Sequence, residues 1–144
     1  MELKNLINTY KKLEEEIKEK QLFSELVLKK IYALAEQELN KTTKIYFDII
    51  EGEKNFKEYS GLKKIKNLEF GNDNYSKSKI INFEYKEKKY KLRIPYGINS
   101  EVIEVENILN EEYKKIVLFT KEYNAIYFDN IIDCFKYLKE IKND

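Results

Sequence analysis

Apolar side chains recur every three or four residues through the first part of the chain, the spacing of one face of an α-helix. Residues 2–39 contain no glycine or proline, so nothing in them forces a break. A heptad count has apolar residues at eight of eleven seam positions, which are Leu3, Leu6, Tyr10, Leu13, Ile17, Lys20, Ser24, Val27, Ile31, Leu34 and Glu38.

This seam leaves two questions open. It turns polar at Lys20 and Ser24, so either one long helix or a helical hairpin with its second helix capped by Ser24 fits the pattern. A heptad seam is typical of a dimerising coiled coil. A helix packed on its own domain gives a similar stripe, and helix length alone favours that interpretation.

The apolar period changes to that of β-strands from residue 44 onwards. Residues 45–50 are β-branched and aromatic and predict a strand. Residues 62–70 predict a weaker strand, with a helix as the alternative because Leu62, Ile65 and Leu68 recur every three residues. Residues 71–74 carry the strongest turn signal in the chain. A short strand is predicted at residues 102–105 and a short acidic helix after it.

The clearest local pattern is the alternation at residues 79–96, which predicts a β-hairpin. A turn centred on Glu87 and Lys88 would place Tyr85 opposite Tyr90 and Glu84 opposite Lys91. This register puts the apolar side chains on one face and the charged side chains on the other.

Residues 116–128 predict a second hairpin whose two faces are both apolar, so we expect it to be covered on both sides. A final helix follows, capped by Asp129 or Asn130, with Cys134 on its apolar face. The fold class is therefore α+β in a single domain, residues 1–144. We expect a helical part at 1–40, a mainly antiparallel sheet at 44–128 and a C-terminal helix at 129–142.

Lys, Ile, Asn, Tyr and Phe make up 78 of the 144 residues, and their codons are built mainly from A and T. An AT-rich genome explains this skew, so abundant lysine is not evidence of nucleic-acid binding. The composition suits a protein of an AT-rich bacterium, its phage or a mobile element.

Several kinds of chemistry are excluded by missing residue types. The chain has no His, one Cys, one Arg and four scattered Gly. Ser-His-Asp and Cys-His catalysis, His-bearing zinc sites and Gly-rich phosphate loops are therefore absent. We predict no catalytic residues, no metal and no cofactor. A single cysteine indicates a reducing, cytoplasmic setting, and no apolar run is long enough for a membrane span.

Charge is balanced overall, with 27 basic and 26 acidic residues, but it is segregated along the chain. Residues 63–93 carry a net charge of +6 and residues 99–113 a net charge of −5. The candidate interaction surface consists of Lys86, Lys89, Lys91, Arg93, Glu101, Glu104, Glu106, Glu111 and Glu112.

Two interpretations compete for this surface. The basic side chains dock on the acidic segment, within the chain or in a symmetric partner, or they bind nucleic acid. Docking is favoured, because base stacking needs exposed aromatic rings. The hairpin register places Phe83, Tyr85 and Tyr90 on the opposite, apolar face.

A third hypothesis is a metal-dependent nuclease. Asp73 followed by Glu84 and Lys86 resembles the carboxylate and Glu-x-Lys layout of such enzymes. Six Glu-x-Lys triplets occur in this lysine-rich chain, so the match is weak. The sequence favours a small non-catalytic protein-binding protein that self-associates, acting as an inhibitor, immunity or accessory protein.

Overall fold

The computed structural model describes residues 2–50, 52–120 and 124–141, without the side chains of residues 44, 45 and 47–50. The chain divides into two compact units, Met1–Leu34 and Ala35–Asp144. Its elements confirm the α+β class: a long N-terminal helix, an antiparallel sheet and a C-terminal helix.

One continuous helix, α1, runs over Glu2–Ile50. The structure therefore has a single long helix and no helical hairpin at Lys20–Ser24. The strand predicted at residues 45–50 is wrong, because these residues continue α1. Strand propensity is a weak preference that context overrides. Extending an existing helix adds one hydrogen bond per residue without a new nucleation step.

Five strands form one antiparallel sheet in which each strand pairs with the next along the chain. This strand order is that of a β-meander, although the connection from β3 to β4 runs over residues 96–115 and is far longer than the hairpin loops. The strands are β1 (Lys66–Asp73), β2 (Ser78–Tyr85), β3 (Lys88–Pro95), β4 (Ile116–Thr120) and β5 (Ala125–Phe128).

Short helices complete the second unit: α2 (Glu53–Ser60), α3 (Val105–Leu109), a 3-10 helix (Glu112–Lys114) and α4 (Ile131–Glu140). The strand predicted at residues 102–105 is wrong, since a turn there leads directly into α3. Asn130 is the N-cap of α4, and its Oδ1 accepts the Asp133 backbone N–H at 2.9 Å. This confirms one of the two predicted caps.

The hydrophobic core lies between one sheet face and helices α2 and α4. Phe56 of α2 is fully buried, and its ring packs on Phe70, Phe83 and Phe135 at centroid distances of 6.1, 5.7 and 5.7 Å. These contacts join α2 to two strands and to α4. The alternating apolar residues of the 79–96 hairpin thus face the core, as their period predicts.

The predicted register of this hairpin is wrong by two residues. The loop consists of Lys86 and Glu87, and Tyr85 lies opposite Lys88. Both loop residues have positive φ, 51° and 66°, as in a type I′ turn. This turn matches the twist of the strands, which outweighs the strain on two non-glycine residues. Because the shift is even, each side chain keeps its face, but Glu84 lies opposite Lys89 rather than Lys91.

Two further local predictions need correction. Gly71–Asp73 still belong to β1, and the loop to β2 occupies residues 74–77. The second hairpin is confirmed, although its expected turn at Glu122 and Tyr123 lies outside the described residues. Its strand β4 is largely buried, whereas β5 is an edge strand with exposed Tyr127, so only β4 meets the expectation of cover on both faces.

Candidate functional site

The first unit presents an unusually apolar exposed surface. Every side chain of α1 from Glu2 to Lys30 is exposed. Exposed fractions on the predicted seam include 71% for Leu3, 51% for Leu13 and 42% for Val27. We call the exposed apolar residues at the heptad positions the α1 seam: Leu3, Leu6, Tyr10, Leu13, Ile17, Val27 and Leu34, with half-buried Ile31 as an additional member.

Other exposed apolar residues of this unit do not lie on the seam. Leu22 and Leu26 fall on the opposite side of the helix by the 3.6-residue period. Phe23 and Leu28 flank the seam. The apolar surface is thus a stripe with a separate patch, and the two can be distinguished by substitution.

The seam ends where α1 enters the second unit. Among the described side chains of α1, Ala35, Leu39 and Thr43 are the buried ones. The last heptad position, Glu38, instead lies 4.0 Å from Lys114, measured from Oε2 to Nζ. Residues 35–43 therefore use their apolar face for their own core, and the exposed stripe is confined to the first unit.

Lys89, Lys91 and Arg93 lie along β3 on the sheet face opposite the core. The Lys91 Nζ is 5.7 Å and the Arg93 Cζ is 5.2 Å from the centroid of the Phe119 ring, within cation–π range. Phe119 is directly opposite Lys91 in the β3–β4 pair. The sequence reasoning missed this aromatic residue because it did not pair β3 with β4, although alternation within residues 116–119 carries the signal.

Lys86 does not belong to this face. Its Nζ donates hydrogen bonds to the carbonyl oxygens of Lys139 at 3.2 Å and Ile141 at 2.5 Å. These carbonyls lie at the C-terminal end of α4, where a lysine ammonium satisfies groups that have no helical partner. The role of Lys86 is to fix α4 against the hairpin loop.

The five candidate acidic residues are all exposed and several have local structural roles. The Glu112 Oε2 accepts a hydrogen bond from the Asn107 side chain at 3.0 Å, and Asn107 Oδ1 accepts the backbone N–H of Glu104. The Glu111 Oε1 lies 3.6 Å from Lys114 Nζ. These contacts fix the start of α3 and the 3-10 helix.

The two charged segments meet at a hydrogen bond from the Asn99 side chain to the Tyr75 carbonyl oxygen, 2.8 Å, and at a shared pocket. Arg93 and Glu112 both line a pocket bounded by β2, β3, β4 and the α3 region. Within the described ranges, no ion pair of 4.0 Å or less joins Lys86, Lys89, Lys91 or Arg93 to the five candidate glutamates. The structure therefore does not bring the charged candidates together as one ion-paired surface.

The nuclease-like residues are far apart. Asp73 is opposite Ser78, whereas Glu84 lies six residues further along β2, roughly 20 Å away at 3.4 Å per residue. Metal ligands must all lie within about 2.6 Å of one ion. The Asp73 carboxylate accepts the backbone N–H groups of Tyr75 and Ser76, which lowers its pKa and shapes the 74–77 loop. Asp73, Glu84 and Lys86 thus cannot form one metal centre.

Cys134 lies in the core on the inner face of α4. Burial raises the pKa of its thiol to about 12. The thiol therefore stays protonated at neutral pH and lacks the thiolate character of a nucleophile. The sequence analysis predicted Cys134 on the apolar face of the final helix, and the structure confirms that position.

None of the helices in the described ranges has an apolar stretch that could span a bilayer. Comparison with protein-family models, with curated proteins and with solved structures found no match. The features of this chain that bear on function are therefore the α1 seam and the sheet face that carries Lys89, Lys91 and Arg93.

Proposed function

We propose that this chain is a small non-catalytic protein that acts through protein–protein contacts, and that the α1 seam is its contact surface. The supporting observation is the row of exposed apolar side chains at heptad spacing from Leu3 to Leu34. A second copy of the chain is the proposed first partner. An inhibitor, immunity or accessory role would use the same surface.

Helix energetics support this proposal. Long isolated helices in water are marginal, and most helical stability in proteins comes from packing an apolar face. Exposed apolar side chains gathered on one face, as on either side of Lys20 and Ser24 here, mark an interaction site. Covering the seam would supply the packing that its exposed side chains lack.

Charge on the first unit favours a protein partner over a lipid surface or nucleic acid. Residues 2–34 contain seven lysines and six glutamates, so their charges nearly cancel. Interfacial membrane helices instead concentrate Lys and Arg on the polar face. Phosphate binding likewise needs a net positive surface.

The test is the mass of the full chain in solution by light scattering, across a range of concentrations. We expect a discrete dimer or higher species, and conversion to monomer by Leu13→Asp, which places a carboxylate in the seam. Leu22→Asp is the matched control, because Leu22 is similarly exposed but lies off the seam.

A wild-type monomer at all concentrations would overturn self-association. Dissociation by Leu22→Asp but not by Leu13→Asp would show that the seam is not the contact surface. Capture of lipid vesicles by the wild-type chain without self-association would point to a membrane surface instead.

A second candidate function is binding of single-stranded nucleic acid on the sheet face. The observation that favours it is the Phe119 ring within cation–π distance of both Lys91 and Arg93, with the exposed Tyr127 on the neighbouring strand. Aromatic rings with adjacent cations suit stacked bases and their phosphates. Glu69 and Glu84 on the same sheet face weaken this candidate.

Its test is binding of single-stranded oligonucleotides at several salt concentrations. Lys89→Glu with Lys91→Glu should abolish binding if these side chains contact phosphates. Lys11→Glu with Lys12→Glu makes the same charge change on α1 and should have little effect. Absent or salt-insensitive binding by the wild-type chain would rule out this candidate.

A further inference from the structure

We infer that the partner of the α1 seam is a second copy of the same helix running in the antiparallel direction. This inference rests on the proposed function, since it names the orientation of that contact. The observation behind it is where two polar residues, Lys20 and Ser24, occupy heptad positions between the apolar residues of the seam.

A parallel pair in register would place each seam residue against its own copy. Lys20 would then face Lys20 of the second copy within the apolar seam. Two like charges in such a layer repel each other, and their desolvation is unfavourable. Ser24 would face Ser24, so two successive layers in the middle of the seam would be polar.

An antiparallel pair centred between residues 18 and 19 avoids these layers. Leu3 then faces Leu34, Leu6 faces Ile31, and Tyr10 faces Val27 of the second copy. Each polar residue then faces an apolar one, because Ser24 faces Leu13 and Lys20 faces Ile17. The two Lys20 side chains lie in neighbouring layers, about 4.5 Å apart along the helix axis, instead of sharing one layer. A lysine next to an apolar residue can extend its stem along the seam and keep its ammonium in water.

The flanking positions agree with the same register. Ile7 and Leu28, both exposed, lie beside the seam and would face each other across the pair. Glu14 would face Gln21, and Thr9 would face Lys30, so these flanking pairs contain no like charges. The matched ends, Leu3 and Leu34, are close to the limits of the first unit.

Disulfide trapping in the full chain distinguishes the two orientations. Leu3→Cys and Leu34→Cys are made in separate chains, one carrying a size tag, and are oxidised alone and as a mixture. Each variant chain carries one introduced cysteine, so a disulfide that joins introduced cysteines can form only between two chains. Buried Cys134 serves as an internal control, and the wild-type chain should form no disulfide.

We expect the mixed disulfide between the two variants to dominate, with at least a tenfold excess over either homodisulfide. Homodisulfides formed by each variant alone would overturn the antiparallel orientation, as would a dimer by light scattering that forms neither product. These results would leave self-association intact. Monomeric variants and a monomeric wild type would instead overturn the proposed function, so the two failures are distinguishable.

Discussion

Phe23 and Phe56 both lie on helices of this chain, yet Phe23 is 69% exposed and Phe56 is fully buried. The same contrast holds for other apolar residues of the two units. Leu6 and Leu13 are more than half exposed, whereas Leu92 and Leu118 are fully buried. The described part of residues 35–144 thus buries most of its large apolar side chains within its own sheet and helices, with Leu109 and Tyr127 among the exposed exceptions.

The difference teaches that apolar content alone does not identify a core. In the second unit the apolar face of the strands and the apolar face of α4 pack against each other and form one core. In the first unit a single helical period provides one face without an opposing layer of its own. A domain needs at least two packed layers to bury such faces. The two units should therefore respond to the same substitution in different ways.

The largest expected effect comes from a matched pair of phenylalanine substitutions. Phe56→Ala should lower the free energy of unfolding by about 3–5 kcal/mol, because it leaves a cavity among three aromatic rings. Phe23→Ala should change it by less than about 0.5 kcal/mol. Urea unfolding monitored by tyrosine fluorescence checks both values. Equal losses would contradict the division into a buried and an exposed apolar region.

Strengthening the seam should have the next largest effect. Lys20→Leu replaces a charged seam residue with an apolar one and should tighten self-association at least tenfold, about 1.4 kcal/mol. Lys18→Leu is the matched control, because Lys18 lies off the seam on the same helix turn. Sedimentation equilibrium measures the dissociation constants. Equal tightening by both variants would indicate non-specific hydrophobic association rather than a seam.

The helical period and the strand alternation were the reliable parts of the sequence prediction. They correctly identified the N-terminal helix, both hairpins, α4 and the burial of Cys134. The prediction failed at residues 45–50, where strand propensity competed with a helix already 43 residues long. Local propensity cannot reveal such competition, because helix continuation depends on the preceding residues.

The site could be predicted only in part. Alternation placed Lys89, Lys91 and Arg93 on one sheet face, but it did not reveal that Phe119 lies beside them, because that contact requires the pairing of β3 with β4. Alternation placed Lys86 on the same face. In the structure Lys86 is instead a hairpin-loop residue with positive φ, so its side chain does not lie on that face. Pairing of distant strands and loop geometry are both properties that a local pattern does not encode.

The loop that shifted the hairpin register offers a smaller effect confined to the second unit. Glu87 has a φ of 66°, which is unfavourable for a side chain with a Cβ and favourable for glycine. Glu87→Gly should raise the free energy of unfolding by roughly 0.5–1 kcal/mol. The urea midpoint should rise without a change in slope.

Lys88→Gly is the control for this loop. Lys88 is already part of β3, so glycine at this position should lower the free energy of unfolding. Neither variant should alter the solution mass of the chain. A stability loss in Glu87→Gly would contradict the type I′ turn, and a stability gain in Lys88→Gly would support the register centred on Glu87 and Lys88.

The smallest expected effect is a pH dependence at the loop between β1 and β2. Hydrogen bonds from the backbone N–H groups of Ser76 and Tyr75 lower the pKa of Asp73 in the folded chain. A lowered folded pKa stabilises the fold above the unfolded value of about 3.9. That stabilisation is lost as the pH falls through the folded pKa.

Asp73→Asn keeps an acceptor for the backbone N–H groups but removes the titration. The wild-type chain should therefore lose slightly more stability than this variant on acidification below pH of about 4, by thermal unfolding. Identical pH profiles would show that the Asp73 charge does not contribute to the loop. Because the titrating group lies in the second unit, self-association through the seam should be equal in both chains at neutral pH.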